Sequence, residues 1–186
     1  MYTGRLISSD DHVFEPPDVW TSRLGEKLGD QAPRLIREED ADWWVCGDQK
    51  LMSLGPGTQT GQRFEDPEKL RHTGRFEDLR LGGYLPDERI KDMDTDSLEA
   101  TLIYPSVGLS FFNLPDSGLL TVLLAAYNDW LAEFCQAYPK RLKGVALLNL
   151  DDVPTAVKEL ERCAKMGLKG VVLSSFPSAR PYPTPE

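Results

Sequence analysis

One stretch decides the fold class: residues 144–173 read GVALLNLDDVPTAVKELERCAKMGLKGVVL. The apolar runs Gly144–Asn149 and Leu168–Leu173 predict two buried strands. The residues between them predict a helix, because Pro154 suits a first turn and Gly167 suits the left-handed residue that ends a helix. A helix that joins two short apolar strands is typical of a parallel βαβ unit.

The same alternation extends toward the N-terminus. Apolar strands are expected at 5–9 and 100–104, and helices at 87–97, with Asp87 as N-cap, and at 117–137. Four such units begin either a doubly wound sheet or an eight-stranded barrel. No glycine-rich phosphate turn follows the first strand, and polar residues gather just past the strand ends, as in barrel enzymes. The sequence therefore predicts an α/β fold with about four β/α units, the first half of a TIM-type (β/α)8 barrel.

A long segment, residues 14–86, interrupts this pattern after the first strand. It predicts one β-hairpin, in which Gly47-Asp48 joins the runs 41–46 and 49–54 through a type II′ turn. The rest is expected to be loop. The whole sequence, residues 1–186, is interpreted as one domain. A loop of this length inside a single domain favours a functional insertion, such as a lid over a site. His72 lies in this segment and is interpreted as a surface or lid histidine.

Composition excludes several classes of protein. Lys and Arg number 21 against 30 Asp and Glu, so the net charge of -9 argues against a nucleic-acid partner. No apolar run approaches the length of a membrane span, and no signal peptide is recognisable. The three cysteines lack paired spacing and are expected to be reduced thiols. We therefore expect a soluble, cytoplasmic protein.

The first strand ends in Asp10-Asp11-His12, which contains the most informative pair of side chains. Side chains two residues apart on a strand point the same way, so Asp10 and His12 would both face the barrel mouth. One oxygen and one nitrogen ligand suit Zn²⁺, or Mn²⁺ or Fe²⁺ among more carboxylates. Glu15 is a candidate third ligand, a partner of His12 or a substrate contact. The alternative is that Asp10 caps a turn and His12 is an ordinary loop residue.

Five segments carry a resemblance to a known family. The opening, ISSDDHVFEPPDVW at 7–20, is similar to that of amidohydrolase-related proteins that group with aminocarboxymuconate-semialdehyde decarboxylase and the dihydroxybenzoate decarboxylases. Residues 89–106 resemble the second helix and strand of that family. Shorter matches, at 127–131, 139–144 and 167–172, follow in the family's order.

The resemblance implies a metal-dependent barrel enzyme. In this family the first strand ends in His-x-His or in an acidic-x-His variant that binds a divalent metal, and Asp10 and His12 match the acidic variant. Family members are commonly about twice as long. They take further ligands and the catalytic acid or base from later strands, to which no residue of this sequence corresponds. The catalytic residues therefore stay unknown, and the chain is expected to be a fragment of the enzyme.

The expected function is that of a metal-dependent hydrolase or nonoxidative decarboxylase acting on a small organic acid, with aromatic acids among the candidates. Tyr104 and Ser106, at and just past the end of the second strand, are candidates for substrate contacts. The alternative from another class is a non-catalytic α/β interaction module. A half barrel would also leave bare strand edges, which predicts self-association or completion by a second half-barrel chain.

Overall fold

A computed structural model of the protein describes residues 6–60 and 73–174. The helices and strands are, in chain order, β1 (Leu6–His12), α1 (Thr21–Leu28), β2 (Arg34–Arg37), β3 (Asp42–Cys46), β4 (Gln49–Ser53), α2 (Pro86–Thr95), β5 (Leu98–Tyr104), α3 (Val107–Ser110), α4 (Ser117–Gln136), β6 (Leu142–Leu148), α5 (Val153–Met166) and β7 (Gly170–Leu173).

The central sheet is parallel and contains the four strands that the sequence predicts. Its order is β1-β5-β6-β7, and each neighbouring pair runs in the same direction. The strands follow one another in chain order across the sheet, as successive units of a barrel do and as a doubly wound sheet, which reverses direction, does not. The carboxyl ends of β1 and β5 therefore lie side by side, with His12 opposite Tyr104.

The core lies between this sheet and α4. This helix carries a wide buried face because apolar residues recur at three-to-four spacing, and Leu123 and Leu131 are completely buried. Trp20, which follows β1 in the chain, closes one end of the core and donates from its indole nitrogen to the Leu123 carbonyl at 3.0 Å. The loop that leaves β1 is thus anchored on the helix layer.

The segment 14–86 holds more structure than the sequence suggests. The predicted hairpin is confirmed by antiparallel pairing of β3 with β4, and Gly47 has the positive φ, +56°, that the turn requires. However, β2 adds a third strand to this sheet, and the expectation that the remainder is loop is wrong for β2 and α1. The helix α1 begins without a side-chain N-cap bond and contains Gly25, which disfavours a helix interior, so its sequence signals are weak.

Two predicted helix ends can be compared with the structure. Asp87 is not the N-cap of α2, because Pro86 occupies the first turn and Leu85 is the capping residue. The Asp87 carboxylate instead accepts from the Tyr138 hydroxyl at 2.9 Å. The end of α5 is as predicted, since Gly167 has φ +98° and its N–H bonds back to the helix.

All three cysteines, Cys46, Cys135 and Cys163, are buried and unpaired, as expected of reduced thiols. Across the described residues, no helix combines the length and the apolar character needed to cross a membrane.

Candidate metal centre at the carboxyl end of β1

Asp10 and His12 lie together where β1 leaves the sheet. An Asp10 carboxylate oxygen, Oδ1, is 3.6 Å from His12 Nε2. Both side chains reach solvent, with exposed fractions of 81% for Asp10 and 43% for His12. The ladder between β1 and β5 is irregular between Ser8 and Asp11, so Asp10 lies in a bulge-like break. The structure therefore brings the two predicted ligands together on the exposed side of the strand end.

A hydrogen bond from the neighbouring strand end fixes the His12 ring. Its Nδ1 lies 2.7 Å from the carbonyl oxygen of Pro105, which follows β5. A carbonyl accepts only, so Nδ1 must carry a proton, and in the neutral ring the lone pair then lies on Nε2. The backbone is held nearby as well, because Val13 donates to the Tyr104 carbonyl at 3.0 Å. The ring is thus oriented as metal-binding histidines are, with the second nitrogen bonded to a carbonyl.

The spacing of this pair fits a divalent ion. Two atoms that each bind one ion at about 2.1 Å lie about 3.0 to 3.4 Å apart, so the observed separation needs only a small rotation of the exposed Asp10 side chain. Two ligands are nevertheless fewer than the three that a catalytic zinc site normally has. Among residues 6–60 and 73–174, no three His, Cys, Asp or Glu side chains lie close enough to hold a metal ion.

Glu15, the candidate third ligand, partner of His12 or substrate contact, does not lie with this pair in the structure. The Glu15 side chain is completely buried, and its two carboxylate oxygens each accept a backbone N–H at 3.0 Å, from Val107 and from Gly108. Burial raises the pKa of Glu15 to about 7, although these backbone hydrogen bonds lower it. Its carboxylate is committed to the start of α3 rather than to solvent or an ion.

Asp11 points away from the pair, as the two-residue alternation predicts. Its carboxylate accepts from the hydroxyl of the buried Thr101, on β5. On the same side, Arg89 of α2 donates to the His12 carbonyl oxygen. Burial lowers the pKa of Arg89, while the charge of Asp11 raises it. The end of β1 is therefore also held by polar contacts from β5 and α2.

The two candidates for substrate contacts occupy different positions. Tyr104 is half-buried, and its ring centroid lies 6.0 Å from that of His12. Ser106 is the N-terminal flanking residue of α3 and makes no side-chain capping bond there. Tyr104 is therefore next to the ligand pair, whereas Ser106 lies further along the loop.

A cleft of about 550 Å³ borders the ligand pair. Residues 10–12 form one wall, and α2, through Arg89 and Asp92, forms another. Phe14, Thr60, Arg80, Gly82 and Gly83 also line it. Parts of the segment 14–86 thus border the cleft, which is the position that a lid would need, although the role of a lid stays a prediction. The prediction for His72 falls outside the described residues.

The sequence matches the amidohydrolase family model over residues 87–186, just over half of the chain. The chain belongs to the amidohydrolase family. Curated relatives agree with this assignment: gamma-resorcylate decarboxylases from Polaromonas sp. and Rhodococcus jostii are each 32% identical over 93 residues. These matches cover 50% of this chain and 28% of each relative, so the chain spans well under half of their length.

Solved structures of amidohydrolase relatives share the fold. An amidohydrolase from Mycobacterium avium subsp. paratuberculosis K-10 superimposes with a TM-score of 0.77 at 23% identity, over 97% of this chain and 52% of the other. A dihydroxybenzoic acid decarboxylase from Polaromonas sp. JS666, with bound manganese and the inhibitor 2-nitroresorcinol, gives a TM-score of 0.55 at 20% identity, over 94% of this chain and 39% of that one. The predicted fold class, a partial TIM-type barrel, is confirmed.

Two contributors to the site were not recognised from the sequence. The Pro105 carbonyl that orients His12 is a backbone group and leaves no trace in the residue type. Arg89 lies among acidic residues on α2, where an arginine is typical of a solvated helix face. Its burial beneath β1 depends on how α2 packs, which the pattern of one helix does not specify.

Proposed function

We propose that this chain contributes the β1 side of a mononuclear metal site in an enzyme that decarboxylates a small aromatic acid. The observation that carries the proposal is the placement of His12, whose Nδ1 is bonded to Pro105 while Nε2 lies 3.6 Å from the Asp10 carboxylate. An exposed, correctly oriented imidazole beside a carboxylate is a suitable start for a divalent metal site. The remaining ligands would come from groups other than those of the described residues.

The metal would be a divalent ion bound by Asp10 and His12. Bound manganese in the dihydroxybenzoic acid decarboxylase from Polaromonas supports Mn²⁺, whereas one nitrogen and one oxygen ligand equally suit Zn²⁺. Such an ion supplies positive charge that polarises a carboxylate, carbonyl or water oxygen of the reacting molecule. Metal analysis of the protein purified without chelator, followed by reconstitution with each ion separately, distinguishes the two.

Decarboxylation is preferred over hydrolysis because the curated relatives at 32% identity are gamma-resorcylate decarboxylases. The aromatic substrate class is consistent with Tyr104, whose ring lies beside His12 on the neighbouring strand and offers a face for stacking. Hydrolysis of a small acid derivative is the second candidate, since the family model itself is that of amidohydrolases.

The test compares metal content and activity in three variants of the full chain. Asp10→Asn and His12→Gln should each lower the affinity for Mn²⁺ or Zn²⁺ by about tenfold or more, since the first removes the negative charge of one ligand and the second removes the imidazole nitrogen. Asp18→Asn is the matched control, because Asp18 is an exposed aspartate on the same connection. Release of CO₂ from dihydroxybenzoates, against hydrolysis of their esters, separates the two reactions. Unchanged metal affinity in both ligand variants would refute the proposal.

Neither the fold nor the comparisons support the alternative of a non-catalytic interaction module. Self-association, and completion by a second half-barrel chain, stay predictions, as does the cytoplasmic location. Size-exclusion chromatography with light scattering tests the first of these directly.

A further inference from the structure

Glu15 is a buried carboxylate that the proposed reaction does not use. It is completely buried, and it accepts N–H groups from two consecutive residues, Val107 and Gly108. A carboxylate without a cationic partner is costly to bury, so its retention in the core calls for a physical reason. The structure suggests that Glu15 is needed to hold the loop of residues 105–108 in position.

Glu15 and His12 hold the same loop from one side. His12 bonds through Nδ1 to the Pro105 carbonyl, and Glu15 bonds to the amides two and three residues later. Both come from the exit of β1, and both reach the exit of β5. The loop is also closely packed, because a Cβ atom added at Gly108 would lie 2.7 Å from Leu147 Cδ1 and 3.4 Å from Glu15 Oε1. Little room is left for it to shift while the Glu15 bonds are intact.

We infer that Glu15 is a positioning residue, which fixes residues 105–108 so that the Pro105 carbonyl holds His12 in its Nδ1–H form with Nε2 directed toward Asp10. The functional consequence rests on the proposed role of His12 as a metal ligand. The structural part does not, because it concerns only which ring nitrogen carries the proton. Glu15 thereby acts on the metal site through another residue, without touching the ion.

The Glu15 side chain can be replaced by one of nearly the same shape but different hydrogen-bonding capacity. An ionised carboxylate offers acceptors at both oxygens, whereas a glutamine amide offers one acceptor and one NH₂ donor group. Glu15→Gln keeps the shape but places that donor group against a backbone N–H. The loop should then shift, and the imidazole, released from Pro105, should mix the Nδ1–H form with the Nε2–H form that free imidazole side chains favour in water.

The experiment reads the tautomer of His12 by ¹⁵N–¹H correlation NMR in the metal-free full chain. The chain has two histidines, so in a His72→Gln background His12 gives the only imidazole signals. This background should show one Nδ1–H tautomer, and adding Glu15→Gln should produce a mixture. Glu159→Gln is the matched control, because its carboxylate also makes side-chain hydrogen bonds but lies on α5, with Asn128 and Arg162 as partners. It should leave the His12 tautomer unchanged.

An Nδ1–H form that persists unchanged in Glu15→Gln overturns the inference. If that variant does not fold, Gly108→Ala takes its place, because the added methyl group would lie 2.7 Å from Leu147 Cδ1 and 3.1 Å from Pro105 Cβ and would therefore crowd residues 105–108. A mixture of tautomers then supports the inference, and an unchanged Nδ1–H form overturns it. Because no metal is present, a chain that never binds metal would refute the proposed function while leaving this result intact.

Discussion

The Nδ1 atom of His12 lies 2.7 Å from the carbonyl oxygen of Pro105, a residue 93 positions further along the chain. This bond joins the ends of two adjacent parallel strands, β1 and β5, whose exits meet because the sheet is parallel. A histidine in a short Asp-x-His pattern would otherwise be free to rotate. The fold therefore gives the two side chains of a common sequence pattern, Asp10 and His12, a defined orientation.

Stability should depend on pH through Glu15. Its pKa is about 7 in the folded protein, against an ordinary value of 4.5, so between these values the folded state binds more protons than the unfolded state. The free energy of unfolding should therefore fall as pH rises through this window, by about 3 kcal/mol in total. Urea denaturation of the wild type and of Glu15→Gln, from pH 5 to pH 8, isolates the contribution as the difference between the two.

The wild-type stability relative to Glu15→Gln should be highest at the acid end. A difference that stays constant over this range, or that increases with pH, would show that Glu15 titrates near its ordinary value.

Removal of the Arg89 side chain should destabilise the protein. Arg89→Met deletes the donor to the His12 carbonyl and the positive charge near Asp11, and both groups lie in partly buried surroundings. The expected loss is about 1 to 3 kcal/mol in the free energy of unfolding, measured by chemical denaturation. The control is Arg80→Met in the same cleft, whose pair with Asp92 is more exposed and should cost under about 1 kcal/mol. Equal losses in both variants would contradict the role of Arg89.

Asn128 should be essential to β6. It is completely buried, and its side-chain amide both accepts from the Leu147 N–H at 2.8 Å and donates to the Leu147 carbonyl at 3.0 Å. Asn128→Ala leaves both backbone groups buried without these partners, at a cost of about 2 kcal/mol or more. The exposed Gln136→Ala on the same helix, with a longer bond of 3.4 Å, should change little. Thermal unfolding of both variants tests this, and similar melting temperatures would refute it.

The repeating part of the fold could be predicted from the sequence. Residues 144–173 carry strand, cap, helix and glycine signals that agree with one another, and β6, α5 and β7 form where these signals indicate. The ends of helices are harder to predict because neighbouring residues compete for the capping positions. In α2, Pro86 occupies the first turn, so that Asp87 is not the N-cap. In residues 14–86 such signals are weak, so α1 and β2 were not predicted.

The candidate site could be predicted only in part. Alternation along a strand correctly brings Asp10 and His12 to one side, because that geometry is local. The position of Glu15 is not local, since its partners, Val107 and Gly108, are supplied by a loop more than 90 residues away. From the sequence, a carboxylate three residues after His12 could be a third ligand, a partner of His12 or a substrate contact, whereas in the structure it accepts hydrogen bonds from the start of α3.

The most direct test of the central claim is anomalous diffraction at the manganese edge from crystals of the full chain soaked in MnCl₂. The account predicts one peak at about 2.0 to 2.3 Å from both His12 Nε2 and an Asp10 carboxylate oxygen, with Nδ1 still bonded to Pro105. It is contradicted if manganese binds elsewhere, or nowhere, while His12 Nε2 and Asp10 stay paired only with each other.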